Sequence, residues 1–532
     1  MRDSSANGSE GMCGSAPLLV GLSIGLYTFL CLVVFVAIRR ANQGHFVFSL
    51  DDPYIHLALA DQIAHGHYGI NAGEAASPSS SLIWPPLLAL FARTSWQSYT
   101  ALGLNFLAGL GAAAVLGWNV ASWPQRDRTL EEHADRVVSV GLLVVIGNLV
   151  GLTFIGMEHT LQVLLAACCA TGVIFCVQGR RVPTWCVVAA ALGPLVRYES
   201  LSLSVALAVA LAGRKDWKRA AGLMVASTAP LLAFSIFLRE LGLPMLPSSV
   251  LLKGGAAAPG QSVLSHLVRS MALSLRLSIA AERRVLLILF LTLAGLAWSQ
   301  RERGRRFALA GAAGAAGLHL LAGPFGWFHR YEVYIVLFSV LVVLYVLHER
   351  PRILLGWYVL GLFMCATPYI DALRHTVDSS NDVYLQQYQM HRFVTQFYSG
   401  NVAVNDLGLV SYRRRPGEEV VDLFGLASAE AAQQRNRSTQ WMDSITREHD
   451  VGLVMIYDGW FPRAPKDWAE LGQLCLVRRP IILGGRCVTY YATPAAPLTQ
   501  VRREFESFVR TLPAGVRVVE GKKLSETCWP LS

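Results

Sequence analysis

Two adjacent carboxylates, Asp51 and Asp52, stand directly after an apolar run and directly before Pro53. A carboxylate partly stripped of water can take the proton of an attacking hydroxyl, the general-base role. Asp52 has a plainer use as the N-cap of a helix whose first residue is proline. That leaves Asp51 as the candidate base, with Asp52 in a secondary electrostatic role. The segment continues through His56, His65, His67 and Tyr68 to Glu74, and then through Ser77-Pro78-Ser79-Ser80-Ser81 to Trp84. Histidines beside paired carboxylates raise the idea of a divalent ion offsetting anionic charge. Hydrogen-bonding and helix-surface roles are commoner for histidine, so the expectation is no metal and no cofactor.

The candidate anion-binding groups are Arg197, Lys253, His329 and Arg330. Arginine offers a two-pronged donor to phosphate oxygens, and lysine a point charge. Each has an alternative reading. Arg197 is also suited to an internal pair with Glu158 or Glu199, because an intramembrane charge must find a partner. Lys253 also reads as a solvated loop residue, and His329-Arg330 within Trp327 to Glu332 as an interfacial aromatic belt with its anchor. Glu158 and Glu199 suit either substrate hydroxyls or salt-bridge scaffolding. Asp406 and Gly408 read as turn formers.

The elements that must position these groups are membrane spans. The chain of 532 residues is 53% hydrophobic and 15% charged, and apolar runs near 17–38, 137–155, 157–178, 220–238, 284–298, 306–323, 332–348 and 353–370 approach or exceed what a bilayer requires. The formal charge of +10 does not point to nucleic acid, because the basic residues gather in short loops between spans. These are Arg126, Arg128 and Arg136; Arg180 and Arg181; Arg214, Lys215, Lys218 and Arg219; Arg301, Arg303, Arg305 and Arg306; and Arg350 and Arg352. Such loops are expected on the cytoplasmic side. An even number of passages must then separate them, so 182–213 has to hold two short passages broken at Arg197 and Glu199. About 11 passages result, and 39–81, 156–159, 197–199, 239–283, 323–332 and everything from about 371 fall outside. Arg39 and Arg40 dissent from the pattern. Cys31, Cys168, Cys169, Cys176, Cys186 and Cys365 lie in spans as small hydrophobes.

The ordered motifs Leu50 to His56, Gly66-His67-Tyr68-Gly69 and Glu74 to Trp84 resemble the first outer loop of GT-C glycosyltransferases. They are most similar to the bacterial group that includes the mycobacterial terminal arabinofuranosyltransferases. Gly156-Met157-Glu158-His159-Thr160-Leu161, Arg197-Tyr198-Glu199, Leu246-Pro247-Ser248 to Lys253, and Asn405 to Gly408 with Val421 to Leu426 are similar to further segments of that group. Tyr198 stands where the group commonly has Pro, and Ser248-Ser249 where it has Asn-Thr. The class is therefore carried over and the pentose is not. The resemblance implies transfer of a sugar from a polyprenyl-phosphate donor to a hydroxyl of a glycan or lipid acceptor at the outer face, usually with inversion and with an aspartate of the first loop as base.

The expected fold is a polytopic all-α bundle of GT-C type in the inner membrane, residues 1–370, whose outer loop carries short helices. Residues 371–532 form an outer-face α/β domain with the acceptor as its candidate ligand and strands at Asn401–Val410, Glu419–Leu423 and Val451–Tyr457. His56 and Tyr68 join Arg197, Lys253, His329, Arg330, Glu158 and Glu199 as expected donor contacts. Partners are the lipid-linked donor, the acceptor and membrane lipids. A lipid-linked-sugar flippase and a non-catalytic assembly protein are the competing readings. In the oxidising outer compartment Cys475 and Cys487, flanking a turn with Arg478-Arg479-Pro480 and Gly484-Gly485, are expected to pair, with Cys528 as the rival partner.

Overall fold

The computed structural model describes residues 10–92, 94–123, 130–253, 283–349, 355–434, 437–461 and 463–519. Five helices are long and apolar enough to cross a membrane: Ala16–Ala41, Gln97–Ala121, His133–Ile155, His159–Val177 and Trp217–Glu240. Gln97–Ala121 is absent from the apolar runs read in the sequence. Glycines, Asn105 and Asn119 dilute its hydropathy to 1.6, the lowest of the five. Shorter apolar helices are Thr184–Val196, Arg284–Trp298 and Val333–His348, and the segment Tyr198–Gly213 belongs with them. Arg303–Ala322 and Leu355–Leu385 complete the bundle. The chain reads as a multi-pass membrane protein.

The break at Arg197 lies where the charge pattern requires it. Helices Thr184–Val196 and Leu201–Gly213 have 13 residues each, or roughly 20 Å of rise apiece, short of a full span. Both pack inside the bundle, Thr184–Val196 against His159–Val177 and Leu201–Gly213 against Arg303–Ala322. Neighbouring protein can thus satisfy the backbone groups that short helices leave open.

The described basic residues of these loops gather at one end of the bundle, and Arg126, Arg128, Arg350 and Arg352 lie outside the described residues. Arg136 donates to the carbonyls of Ala121 and Trp123, and Trp123 packs on His348. Arg214 donates to the carbonyls of Cys176 and Gly179, Arg219 to that of Val182, and Arg305 pairs with Glu349. The opposite end carries the segments with unusual polar residues, and a mixed α/β unit sits over it. Arg39 belongs to this second end, its Nε donating to the Gly44 carbonyl at 2.9 Å.

Helix Leu355–Leu385 runs unbroken through the expected domain boundary at 370/371, because Asp371, Arg374 and His375 are polar without being helix breakers. Its end is tied to the chain after the first span: Asn42 Nδ2 donates to Ser380 Oγ at 3.0 Å, and Ser380 Oγ to the Val47 carbonyl at 2.6 Å.

Beyond it lies a six-stranded sheet of β1 Asn401–Val404, β2 Val420–Asp422, β3 Val451–Ile456, β4 Ala469–Leu476, β5 Cys487–Ala492 and β6 Val516–Val519, in the order β2-β1-β3-β5-β4-β6. β1 runs parallel to β2 and β3, and the rest is antiparallel. Amphipathic helix Thr439–Glu448 covers one face through Trp441, Met442 and Ile445. Leu498–Val509 covers the other through Val501, Phe505 and Phe508. β1 stops at Val404, short of the strand expected to reach Val410. The turn formers Asn405-Asp406-Leu407 end it, and Gly408–Ser411 coils into one helical turn. Cys475 and Cys487 face each other across β4 and β5 and are disulfide-bonded, their Cα atoms 4.1 Å apart. Cys528 lies outside the described residues, and the six cysteines expected in spans are free thiols.

Candidate active site

The first loop folds as a short extended entry, helix Asp52–Ala64 with Pro53 in its first turn, and an irregular return through the serine run to helix Trp84–Ala89. Asp51 takes the N-cap position and makes no side-chain cap bond. The expected capping role of Asp52 is thereby corrected: Asp52 is the first helical residue, and Arg330 draws its carboxylate away, with Nη2 to Oδ2 at 2.5 Å. A full guanidinium charge outcompetes neutral backbone N–H donors for the carboxylate.

Asp51 turns the other way, into the α/β unit. Its Oδ1 accepts from the Leu409 backbone N–H at 2.8 Å, while its Oδ2 is buried with no hydrogen-bond partner among the described residues. The close approach needs Gly408, since a Cβ there would lie 2.1 Å from Asp51 Oδ2 and 2.3 Å from its carbonyl oxygen. Burial, then the charges of Asp406 and Asp52, hold the Asp51 carboxyl well above the ordinary carboxylate range, against the pull of the Leu409 and Gly408 amides. Burial likewise raises Asp406 to about 6, partly offset by a hydrogen bond from Gln387.

Beneath Asp52 lies a buried charge network. Arg197 Nη1 donates to Glu158 Oε1 at 2.8 Å and to Ser80 Oγ at 3.1 Å, and its Nη2 and Nε meet Glu199 at 2.9 and 3.3 Å. Arg197 is thus the scaffold of this layer, with Glu158 and Glu199 as its partners. His56 joins from the first loop, with Nδ1 3.2 Å from Ser79 Oγ and Nε2 3.9 Å from Glu158 Oε2. Tyr331 closes the layer, its ring 5.4 Å from the Arg197 guanidinium and 4.9 Å from that of Arg330.

Arg330 is less well satisfied. Besides Asp52 and the Tyr331 hydroxyl at 2.9 Å, its Nη1 reaches only the Met157 thioether at 3.0 Å. Its Nε is buried without a partner. Sulfur is a weak acceptor, so an anionic oxygen offered to this guanidinium would be the stronger partner. The turn that presents it is strained, with Trp327, Phe328 and His329 all at positive φ of 50–63°, a conformation that costs non-glycine residues and collects at functional sites.

The remaining expected contacts are more scattered. His329 bonds Glu332 at 2.6 Å and packs on Tyr369. Tyr68 packs edge-on against Phe237. Lys253 ends helix Ser248–Lys253, and its side chain lies outside the described residues. Among the described residues no group of three or more His, Cys, Asp or Glu is arranged to hold a metal ion. His56 faces Ser79 rather than Asp51, and His65 bonds the carbonyl of Asp61. The sequence missed Met157, Leu409 and the charge interaction of Asp406 with Asp51. The last two depend on a pairing more than 350 residues apart along the chain, which leaves no local signal.

No curated protein matches the sequence. A family model described as a domain of unknown function, DUF8728, matches residues 379–491, most of the α/β unit. Among solved structures, the chain is similar to ArnT from Cupriavidus metallidurans bound to undecaprenyl phosphate, with 14% identity over 89% of this chain and 99% of that one and a TM-score of 0.41. ArnT from Cupriavidus metallidurans in the apo state gives 13% over the same shares and a TM-score of 0.41. The Archaeoglobus fulgidus oligosaccharyltransferase gives 11% over 88% of this chain and 74% of that one and a TM-score of 0.45.

Proposed function

We propose that the chain is a GT-C-type glycosyltransferase of the inner membrane that moves a sugar from a polyprenyl-phosphate donor to a hydroxyl of an envelope glycan or lipid at the outer face. The observation that carries this reading is the convergence, at one end of the bundle, of residues from the GT-C-like motifs. Ser80, Glu158 and Glu199 bond Arg197, Asp52 bonds Arg330, the Tyr331 ring lies against both guanidiniums, and Asp51 stands beside Asp52 with its side chain on Leu409.

The chemistry divides among them. The acceptor oxygen attacks the anomeric carbon, the bond from that carbon to the phosphate oxygen breaks, and the lipid phosphate leaves with the electron pair. Arg330, with buried N–H capacity to spare, receives that phosphate, and Asp52 holds the guanidinium in place. Asp51, one oxygen fixed by Leu409 and the other without a partner, takes the acceptor's proton. Arg197, Glu158 and Glu199 fix the floor.

The test is turnover of polyprenyl-phosphate sugars by the purified chain, alongside envelope glycans and accumulated donors in cells with and without the gene. Donor consumption that yields free polyprenyl phosphate and a new glycoside is the expected result. Movement of intact donor between leaflets, or no consumption of any donor, overturns it.

A further inference from the structure

We infer that the α/β unit carries a saccharide-binding subsite for the acceptor, formed by Gln387, Asn405, Asp406 and Tyr457 with Trp460 and Phe424 beside them, and continuous with Asp51. The inference rests on the transferase reading above and deepens it by assigning the acceptor class, a glycan, to particular residues.

The polar half is a bonded set. Gln387 Nε2 donates to Asp406 Oδ2 at 2.8 Å and to the Tyr457 hydroxyl at 3.0 Å. That hydroxyl donates to Gln386 Oε1 at 2.6 Å, and Asn405 Oδ1 accepts from the Tyr457 backbone N–H at 2.9 Å. These bonds fix which end of each carboxamide is oxygen. Gln387 is fully buried and Asn405 5% exposed, yet Gln387 Oε1, Asn405 Nδ2 and Asp51 Oδ2 have no hydrogen-bond partner among the described residues. Each buried unpaired polar atom costs about 1–3 kcal/mol, a cost that a ligand hydroxyl bonded to it would offset. This set leaves open a carbonyl acceptor, an amide donor and a carboxylate oxygen. A saccharide is a ligand whose hydroxyls both donate and accept, and so can answer all three.

The apolar half adjoins it. The Tyr457 ring lies 5.7 Å from that of Trp460, and Trp460 lies 5.4 Å from Phe424. Trp460, Phe424 and Asp406 are half-buried, so this edge meets solvent. Aromatic faces beside a few fixed polar groups are the usual construction of a small-molecule site, and the C–H faces of sugar rings stack on such faces. Gly484 and Gly485 let the chain pass close behind, since a Cβ at either would fall 2.7–2.9 Å from the Trp460 or Tyr457 ring.

The experiment titrates the purified full chain with oligosaccharides released from the envelope of cells that make it, read by saturation-transfer NMR and tryptophan fluorescence. Binding of undecaprenyl phosphate is measured in parallel. The parent should bind saccharide. Trp460→Ala, at a half-buried position, and Gln387→Leu, in the buried set, should each weaken saccharide binding at least tenfold and still bind the lipid phosphate. Two results overturn the subsite: equal saccharide affinity in the parent and Trp460→Ala, or a parent that turns over donor and binds no saccharide. A parent that binds saccharide through these residues but consumes no donor leaves the subsite standing and removes the transferase reading instead.

Discussion

The side chain of Asp51 and the backbone of Leu409 are joined by a 2.8 Å hydrogen bond that links the first loop of the membrane bundle to the α/β unit. The bond ties the candidate base to a unit that begins more than 300 residues later, so the geometry of the carboxylate depends on that unit being seated.

The seat has no room for a side chain at 408. Gly408→Ala places a Cβ 2.1–2.3 Å from three atoms of Asp51, one of them its backbone carbonyl oxygen, which cannot swing away. Overpacking of a tight contact costs about 1–3 kcal/mol. The variant should show a lowered Tm and faster proteolysis in the segment joining helix Leu355–Leu385 to β1. A Tm equal to that of the parent would show that the two units are not clamped together here.

Arg197 should prove a structural cation. Replacing it by Met leaves Glu158 buried and uncompensated, a loss of about 3–5 kcal/mol. Adding Glu158→Gln should recover a large part, because Glu199 keeps some solvent contact. Thermal unfolding of the single and double variants in detergent measures both. If Arg197→Met unfolds like the parent, the guanidinium is not holding this layer together.

Much of the bundle was legible in the sequence because charge patterning and apolar length act locally. The loops whose basic residues are described could be assigned to one end from their Lys and Arg alone, and the break at Arg197 followed from counting passages. The pairing of Arg197 with Glu158 and Glu199 stood among the readings of those residues, since a buried charge must be matched. The division of labour between Asp51 and Asp52 was only partly legible: which carboxylate caps and which is drawn off depends on Arg330, 278 residues further on. Asp406 and Gly408 read as turn formers, and they do end β1. Their second role, against Asp51, lies in tertiary contact and leaves no trace in spacing.

The Cys475–Cys487 bond should survive purification without reductant. It joins opposed residues of two antiparallel strands 12 positions apart, and closing a loop of this size stabilises a fold by ~3 kcal/mol in the chain-entropy account. Peptide mapping under non-reducing conditions should recover the two cysteines together, and dithiothreitol should lower the Tm of the α/β unit. Recovery of both as free thiols, or of Cys528 bonded to either, contradicts the pairing.

The pH dependence of transfer tests the assignment of the base. The Asp51 carboxyl is held well above the ordinary range by burial and then by the charge of Asp406, with a further push from Asp52, whose own charge is answered by Arg330. A base with a raised pKa is protonated and idle at low pH, so kcat/KM should rise with pH through that raised value. Docking should respond oppositely. A carboxyl whose folded pKa lies above its unfolded one adds stability that is complete below the unfolded pKa and is lost as pH climbs through the folded pKa, so burying Asp51 in the docked state costs least in acid, while the Leu409 N–H, taken alone, favours the ionised form. Asp406→Asn removes the charge that raises Asp51 most, and the rising limb should move to lower pH. Asp52→Asn should move the limb in the same direction by less, and lose rate through a loosened Arg330. Asp51→Asn retains size and one hydrogen-bonding oxygen but cannot take a proton, a change worth about 10²- to 10⁴-fold in rate, and it should abolish the limb altogether. Transfer by Asp51→Asn at the parent's rate and with the parent's pH profile, in protein of the same Tm, would place the base elsewhere.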